Sequence, residues 1–237
     1  MRSFKVSFLI LALAFSNSQV VADSPSPAAE QHYERARSSL EQARQMLSDP
    51  KEPSSKELEA TLGNAKAELQ KASDLGHPAA AFYQAQLILN ARGIQNEQRN
   101  DACSLLKSWA EKGFVAAAVT NFKECNLAYL RFDDTSAEHQ AALKALSSSL
   151  AGSDPAQAYY PFPLNASQCF ATDPVEVELL SQAQFTAEAE YILGSTQQPE
   201  SPETAKRLLA WLDASANHGC QMAMDPRPFL RSISRTQ

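Results

Sequence analysis

Glycine is scarce in this chain, with 7 in 237 residues. The shortage leaves no glycine-rich loop to cradle a phosphate and no Gly-x-Ser-x-Gly elbow for a serine hydrolase. Basic clusters are missing as well. Lys and Arg number 21 against 27 Asp and Glu, for a formal charge of −6. That balance argues against nucleic acid or an anionic lipid surface as the target, because both demand concentrated positive charge. Neither a Cys-x-x-Cys pair nor an HExxH helix occurs, and the four histidines (His32, His77, His139, His218) are isolated from one another. No metal site and no cofactor is therefore predicted. After the first 22 residues no stretch is long and apolar enough to span a bilayer, which takes about 20 residues, so no transmembrane anchor is expected.

What is present begins with MRSFKVSFLILALAFSNSQVVA. Arg2 and Lys5 precede an apolar run from Val6 to Phe15, and Val20-Val21-Ala22 places small residues at a cleavage site. Residues 1–22 are predicted to be a secretory signal peptide, removed after Ala22. Removal takes two bases and no acid, so the mature chain is more acidic still. All four cysteines, Cys103, Cys125, Cys169 and Cys220, lie in the exported part. An even count in an oxidising compartment predicts two disulfides. The leader and the alanine- and glutamine-rich composition point to a bacterial envelope protein, periplasmic or secreted.

Residues 23–27 read as a flexible leader, and residues 28–237 as one helical domain. Tyr33, Ala36, Leu40, Ala43 and Leu47 recur at three- and four-residue spacing, which predicts an amphipathic helix over 28–48. Ser54-Ser55-Lys56-Glu57 is a capping box that starts a second helix carrying Leu58, Leu62, Ala65, Leu69 and Ala72. Further start signals stand at Thr135-Ser136-Ala137-Glu138, Asp173-Pro174-Val175-Glu176 and Ser201-Pro202-Glu203. In the last two, proline occupies a position where its missing N–H costs nothing. No convincing alternating strand is seen, and the chain reads as all-α.

A repeat emerges when the helix-ending glycines are aligned. LQKASDLGHPAA around Gly76 matches LKSWAEKGFVAA around Gly113, and DASANHGCQMA surrounds Gly219. A weaker copy, SDPAQAYY, begins at Ser153. Each unit has a helix ending in glycine, a tight corner and an alanine-rich helix. Ser73, Ala110 and Ala216 let neighbouring helices approach, and Phe82, Tyr159 and Tyr191 would fill wider gaps. The pattern resembles the Sel-one-like repeat, an α/α relative of the tetratricopeptide repeat. Gly76-His77, Ala80, Phe82, Asn90 and Gly93-Ile94 carry the resemblance, as do Ala187-Glu188-Ala189-Glu190-Tyr191-Ile192-Leu193-Gly194 and Trp211. It implies an α/α solenoid of right-handed helical hairpins over 58–125 and 183–224. Between them, at about 126–182, the pattern degenerates. Phe122 replaces a small residue, Pro161 and Pro163 break the helix that Ala156 starts, and YYPFPLNASQCFAT is predicted to be an irregular loop.

If Gly113 marks a hairpin corner, Cys103 and Cys125 lie at near-equal distances on either side and so at the same height on antiparallel helices. A Cys103–Cys125 bridge is expected, which leaves Cys169–Cys220 to staple the loop to the last repeat. His77 and His218 flank equivalent corners and read as structural. Ser104-Leu105-Leu106-Lys107 matches the serine–lysine spacing of penicillin-interacting enzymes, without the companion Lys-Thr-Gly. Because cysteine-rich Sel-one-like proteins have been linked to β-lactam chemistry, a cell-wall or β-lactam hydrolase is the alternative function. The leading expectation is an exported scaffold or adaptor, not an enzyme, that grips a protein or peptide partner through a groove lined by the first helices of its repeats. Tyr83, Gln86, Asn90, Asn121, Lys123 and Glu190 are the expected exposed contacts on that surface.

Overall fold

Local sequence fixes where most helices begin. The computed structural model describes residues 24–48, 54–91, 93–126, 135–170 and 177–234. The predicted signal peptide and the start signal at Asp173-Pro174-Val175-Glu176 lie outside these residues. Among the described residues the α-helices are α1 (Pro27–Ser48), α2 (Ser55–Asp74), α3 (Pro78–Leu89), α4 (Asn96–Ala110), α5 (Val115–Cys125), α6 (Ala137–Ala151), α7 (Gln182–Ser195), α8 (Pro202–Asn217) and α9 (Arg227–Ser234). Ser54, Ser136, Ser181 and Ser201 each accept the backbone N–H three residues on, and the His77 ring does the same for Ala80. Such a cap contributes about 1 kcal/mol. Pro78 and Pro202 occupy the first helical position, the latter as read from the sequence.

The three aligned glycines share one geometry. Gly76, Gly113 and Gly219 have φ of 83°, 94° and 97°, a left-handed conformation that side chains resist. The glycine N–H returns to the carbonyl of Ser73, Ala110 or Ala216, and the next N–H to that of Ala72, Trp109 or Ser215. This double closure is the Schellman motif, which satisfies the carbonyls left open at a helix end. After Gly76 and Gly113 a full helix follows. After Gly219 only a 3-10 turn over Gln221–Met224 forms before α9.

Each helix packs against its neighbours in sequence, and α5 also touches α7 across α6. The main core runs from Tyr33 and Leu69 through Phe82, Leu106, Phe114 and Phe122 to Ile192 and Leu193. Ala187, Ala205, Leu208, Leu212, Cys220 and Leu230 form a second core at the C-terminal end. Both predicted disulfides are present. Cys103–Cys125 joins α4 to α5 with Cα atoms 5.6 Å apart, and Cys169–Cys220 spans 4.6 Å. From their loop lengths the bridges contribute about 3 and 4 kcal/mol through unfolded-chain entropy.

Three expectations are corrected. The described residues are mostly helical, consistent with an all-α class, but the stretch read as an irregular loop holds strand β1 (Phe162–Asn165), paired antiparallel with β2 (Val177–Leu180). Pro163 sits in β1, in a two-stranded sheet where each strand has an open edge. The copy at Ser153 yields only a 3-10 turn over Gln157–Tyr159. The second-helix stripe is also rotated. Thr61, Ala65, Leu69 and Ala72 are buried, whereas Leu62 is exposed, as is Leu47 at the end of α1.

Helices α7 and α8 approach closely at Gly194. A Cβ there would meet Leu212 Cγ at 2.6 Å and the Leu208 carbonyl oxygen at 3.1 Å. Gly194→Val is expected to cost about 1–3 kcal/mol by overpacking. At roughly 2–4 °C per kcal/mol for a chain of this size, thermal melting followed by circular dichroism resolves the loss. An unchanged midpoint would show that α7 and α8 do not meet at this position.

Candidate functional site

The side of the molecule lined by α3, α5 and α7 was expected to hold the partner groove. It is occupied instead by the chain's own residues 153–170 and 177–180. Phe162, Leu164 and Leu180 are buried, with the Phe162 ring 4.9 Å from Phe82, 5.2 Å from Phe114 and 4.8 Å from Tyr160. At its start, Asp154 accepts from the Tyr160 hydroxyl at 2.6 Å, from Ala156 N at 2.8 Å and from Val115 N at 3.3 Å. It thereby caps α5. Burial raises the Asp154 carboxyl above its ordinary range, against the lowering effect of these bonds.

The expected contact residues are accounted for one by one. Tyr83 is half-buried, 5.7 Å from Phe162, and burial raises its hydroxyl pKa. Gln86 is buried and accepts from the Asn90 amide at 3.1 Å. Asn90 is exposed, but its oxygen is taken by Asn165 at 3.0 Å. Asn121 is half-buried and donates to the Cys103 carbonyl at 3.0 Å. Lys123 keeps only 9% of its side chain exposed and donates to Ala166 O at 2.6 Å and to Glu188 at 2.9 Å. Glu190 is buried against His218, whose Nδ1 lies 2.7 Å away; burial raises the Glu190 carboxyl pKa and His218 opposes the rise. The expected exposure holds for Asn90 alone: Gln86 and Glu190 are buried, the Lys123 side chain nearly so, and Tyr83 and Asn121 are half-buried. Tyr83, Asn90 and Lys123 do line one face, and what they grip is the inserted segment.

Glu188, which the sequence reading passed over, holds that grip. Its carboxylate is fully buried and accepts from Ser167 Oγ at 2.9 Å, Gln168 N at 2.9 Å, Cys169 N at 3.0 Å and Lys123 Nζ at 2.9 Å. Its only signal was an acid set between Ala187 and Ala189, where small neighbours mark a close-packed helix face. His77 plays a similar part further along. It is fully buried, 4.2 Å from the Tyr33 ring and 4.6 Å from Tyr159, while Glu30 receives both His77 and the Tyr159 hydroxyl. Burial lowers the His77 pKa, with Glu30 opposing.

Open grooves lie on either side of α6, and another of about 550 Å³ lies beside α1, where Tyr83 meets Glu34, Arg37 and Glu41. One groove of about 440 Å³, between α4–α5 and α6, is lined by Ser104, Lys107, Asn121, Asn126 and Glu138. A second of about 570 Å³, between α6 and α7–α8, is lined by Leu143, Lys144, Leu193, Arg207 and Trp211. Through Ser147 and Trp211 it continues into a smaller cavity beside Asp154 and Glu190. Ser104 and Lys107 are both exposed, without the enclosure that activates a serine–lysine pair. Among the described residues no three His, Cys, Asp or Glu side chains converge as a metal site. No protein-family model, curated protein or solved structure matches the chain.

Breaking the buried pair from one side is strongly destabilising, because the remaining charge has no water to return to. Glu188→Gln is expected to cost about 3–5 kcal/mol in urea denaturation, and Glu188→Gln/Lys123→Met less than the single change. A Glu188→Gln variant as stable as the parent would contradict this account of the anchor.

Proposed function

We propose that the chain is an exported envelope scaffold of the Sel-one-like type, a right-handed α/α solenoid that docks a protein partner on the face flanking α6. The observation that carries this reading is the occupation of the α3, α5 and α7 side by residues 153–170 and 177–180, while the two grooves along α6 stay open. The three Schellman corners and the α4–α5 disulfide clamp support the repeat reading. Two disulfides among four cysteines suit an oxidising compartment, in keeping with cleavage of a signal peptide near Ala22 and residence in the periplasm or beyond. The grooves mix apolar floor with amide and charged rim, the composition of a surface that binds and releases another protein.

A hydrolase is the competing reading, and its support is that Ser104 and Lys107 line one groove together. Against it stands their open exposure, which makes them rim residues of a docking surface.

Photo-crosslinking separates docking from a passive structural role. Benzoylphenylalanine placed at the exposed positions Ala141 and Ala210 is expected to capture a discrete partner in intact cells, whereas the same probe at exposed Gln42 on α1 captures none. Equal capture from all three positions, or none from the groove positions, would defeat the proposal, as would nitrocefin turnover lost on Ser104→Ala.

A further inference from the structure

The groove between α6 and α8 differs from the others in charge. Among the described residues, three further grooves each carry a carboxylate: Glu138, Asp154 with Glu190, or Glu34 with Glu41. No acidic side chain lines the α6–α8 groove, although the chain as a whole has a formal charge of −6. Its rim instead holds two cations, Lys144 on α6 and Arg207 on α8, both exposed. Neither forms an ion pair among the described residues. Beneath them the floor is apolar, with Leu143 and Leu193 almost fully buried and Trp211 half-buried.

Building on the docking reading above, we propose that this groove binds a short acidic and apolar peptide segment of the partner, with a carboxylate between Lys144 and Arg207 and an apolar side chain on Trp211. Charge complementarity selects this occupant. A neutral saccharide could stack on the tryptophan but would leave both cations unused. A basic segment would meet like charge, which suppresses wrong partners. At about 570 Å³ the space falls within the range of roughly 300–1,000 Å³ typical of ligand sites. Its length is limited at the other end, because past Ser147 and Trp211 the cavity wall presents Glu190 and Asp154. A strongly acidic segment therefore stops near Trp211. The surrounding negative field repels acidic chains in general, so attraction is confined to this spot and weakens with salt.

The test uses the fluorescein-labelled acidic hexapeptide DEFLED, its amide counterpart NQFLQN and chitotetraose as probes. Binding is followed by polarisation and, since Trp109 is buried, by the emission of Trp211. DEFLED is expected to bind and NQFLQN to bind more weakly. Charge reversal at exposed positions leaves the fold intact, so Lys144→Glu and Arg207→Glu are the chosen variants. Each is expected to weaken DEFLED about fivefold, and raising salt to about 0.5 M to weaken it further. Equal binding of both peptides, insensitivity to reversal of both cations, or binding of chitotetraose in place of DEFLED would overturn the proposal. Crosslinks from Ala210 without DEFLED binding would leave the docking reading standing and remove this one. DEFLED binding with silent crosslinks would do the reverse.

Discussion

A full negative charge buried away from water has to be satisfied from within the protein, and Glu188 is such a charge. Four donors meet it: the Lys123 ammonium from α5, the Ser167 hydroxyl and the backbone N–H groups of Gln168 and Cys169. Three of the four belong to one turn of the inserted segment. Folding α7 against α5 without that turn would strand a carboxylate in a dry interior, so the helices and the turn form together or not at all. Cys169 then carries the anchor onward, through its bridge to Cys220, to the end of α8. One carboxylate thereby ties α5, α7, the insertion and the C-terminal unit into one body.

The insertion has consequences for function because of where this anchor puts it. Phe162 enters the space between Phe82, Phe114 and Tyr160, and Lys123 and Asn90 turn toward backbone and amide groups of the same segment. The groove that repeats of this kind would present is filled from within. On the proposed reading the docking surface is then the pair of grooves along α6, one of which includes Trp211 in its lining.

Local signals were legible in the sequence and long-range ones were not. Glycine at each corner, serine at helix starts and cysteines at matched heights report contacts made within a turn or within one hairpin. These correctly place α1 to α5, the starts of α6 and α8, and the Cys103–Cys125 bridge, which leaves Cys169–Cys220 as the remaining pair. Residues 153–170 defeated the same reasoning because their conformation is set by distant partners: Asp154 by Val115, Phe162 by Phe82, Ser167 by Glu188. The contact residues failed for a related reason. Helical spacing puts Gln86 and Glu190 on a face, but only the position of the neighbouring segment decides whether that face meets water. Alanines gave a usable hint, since Ala187 and Ala189 around Glu188 mark close approach on both sides.

Native-state hydrogen exchange at the Gln168 and Cys169 amides tests the central claim most directly. These N–H groups belong to a turn and would ordinarily exchange as loop amides do, through small local openings. If the Glu188 carboxylate holds them as described, they exchange only with the core amides of α5 and α7, through global opening. Rapid exchange at both while α7 remains protected would show that the turn detaches freely, and would contradict the account.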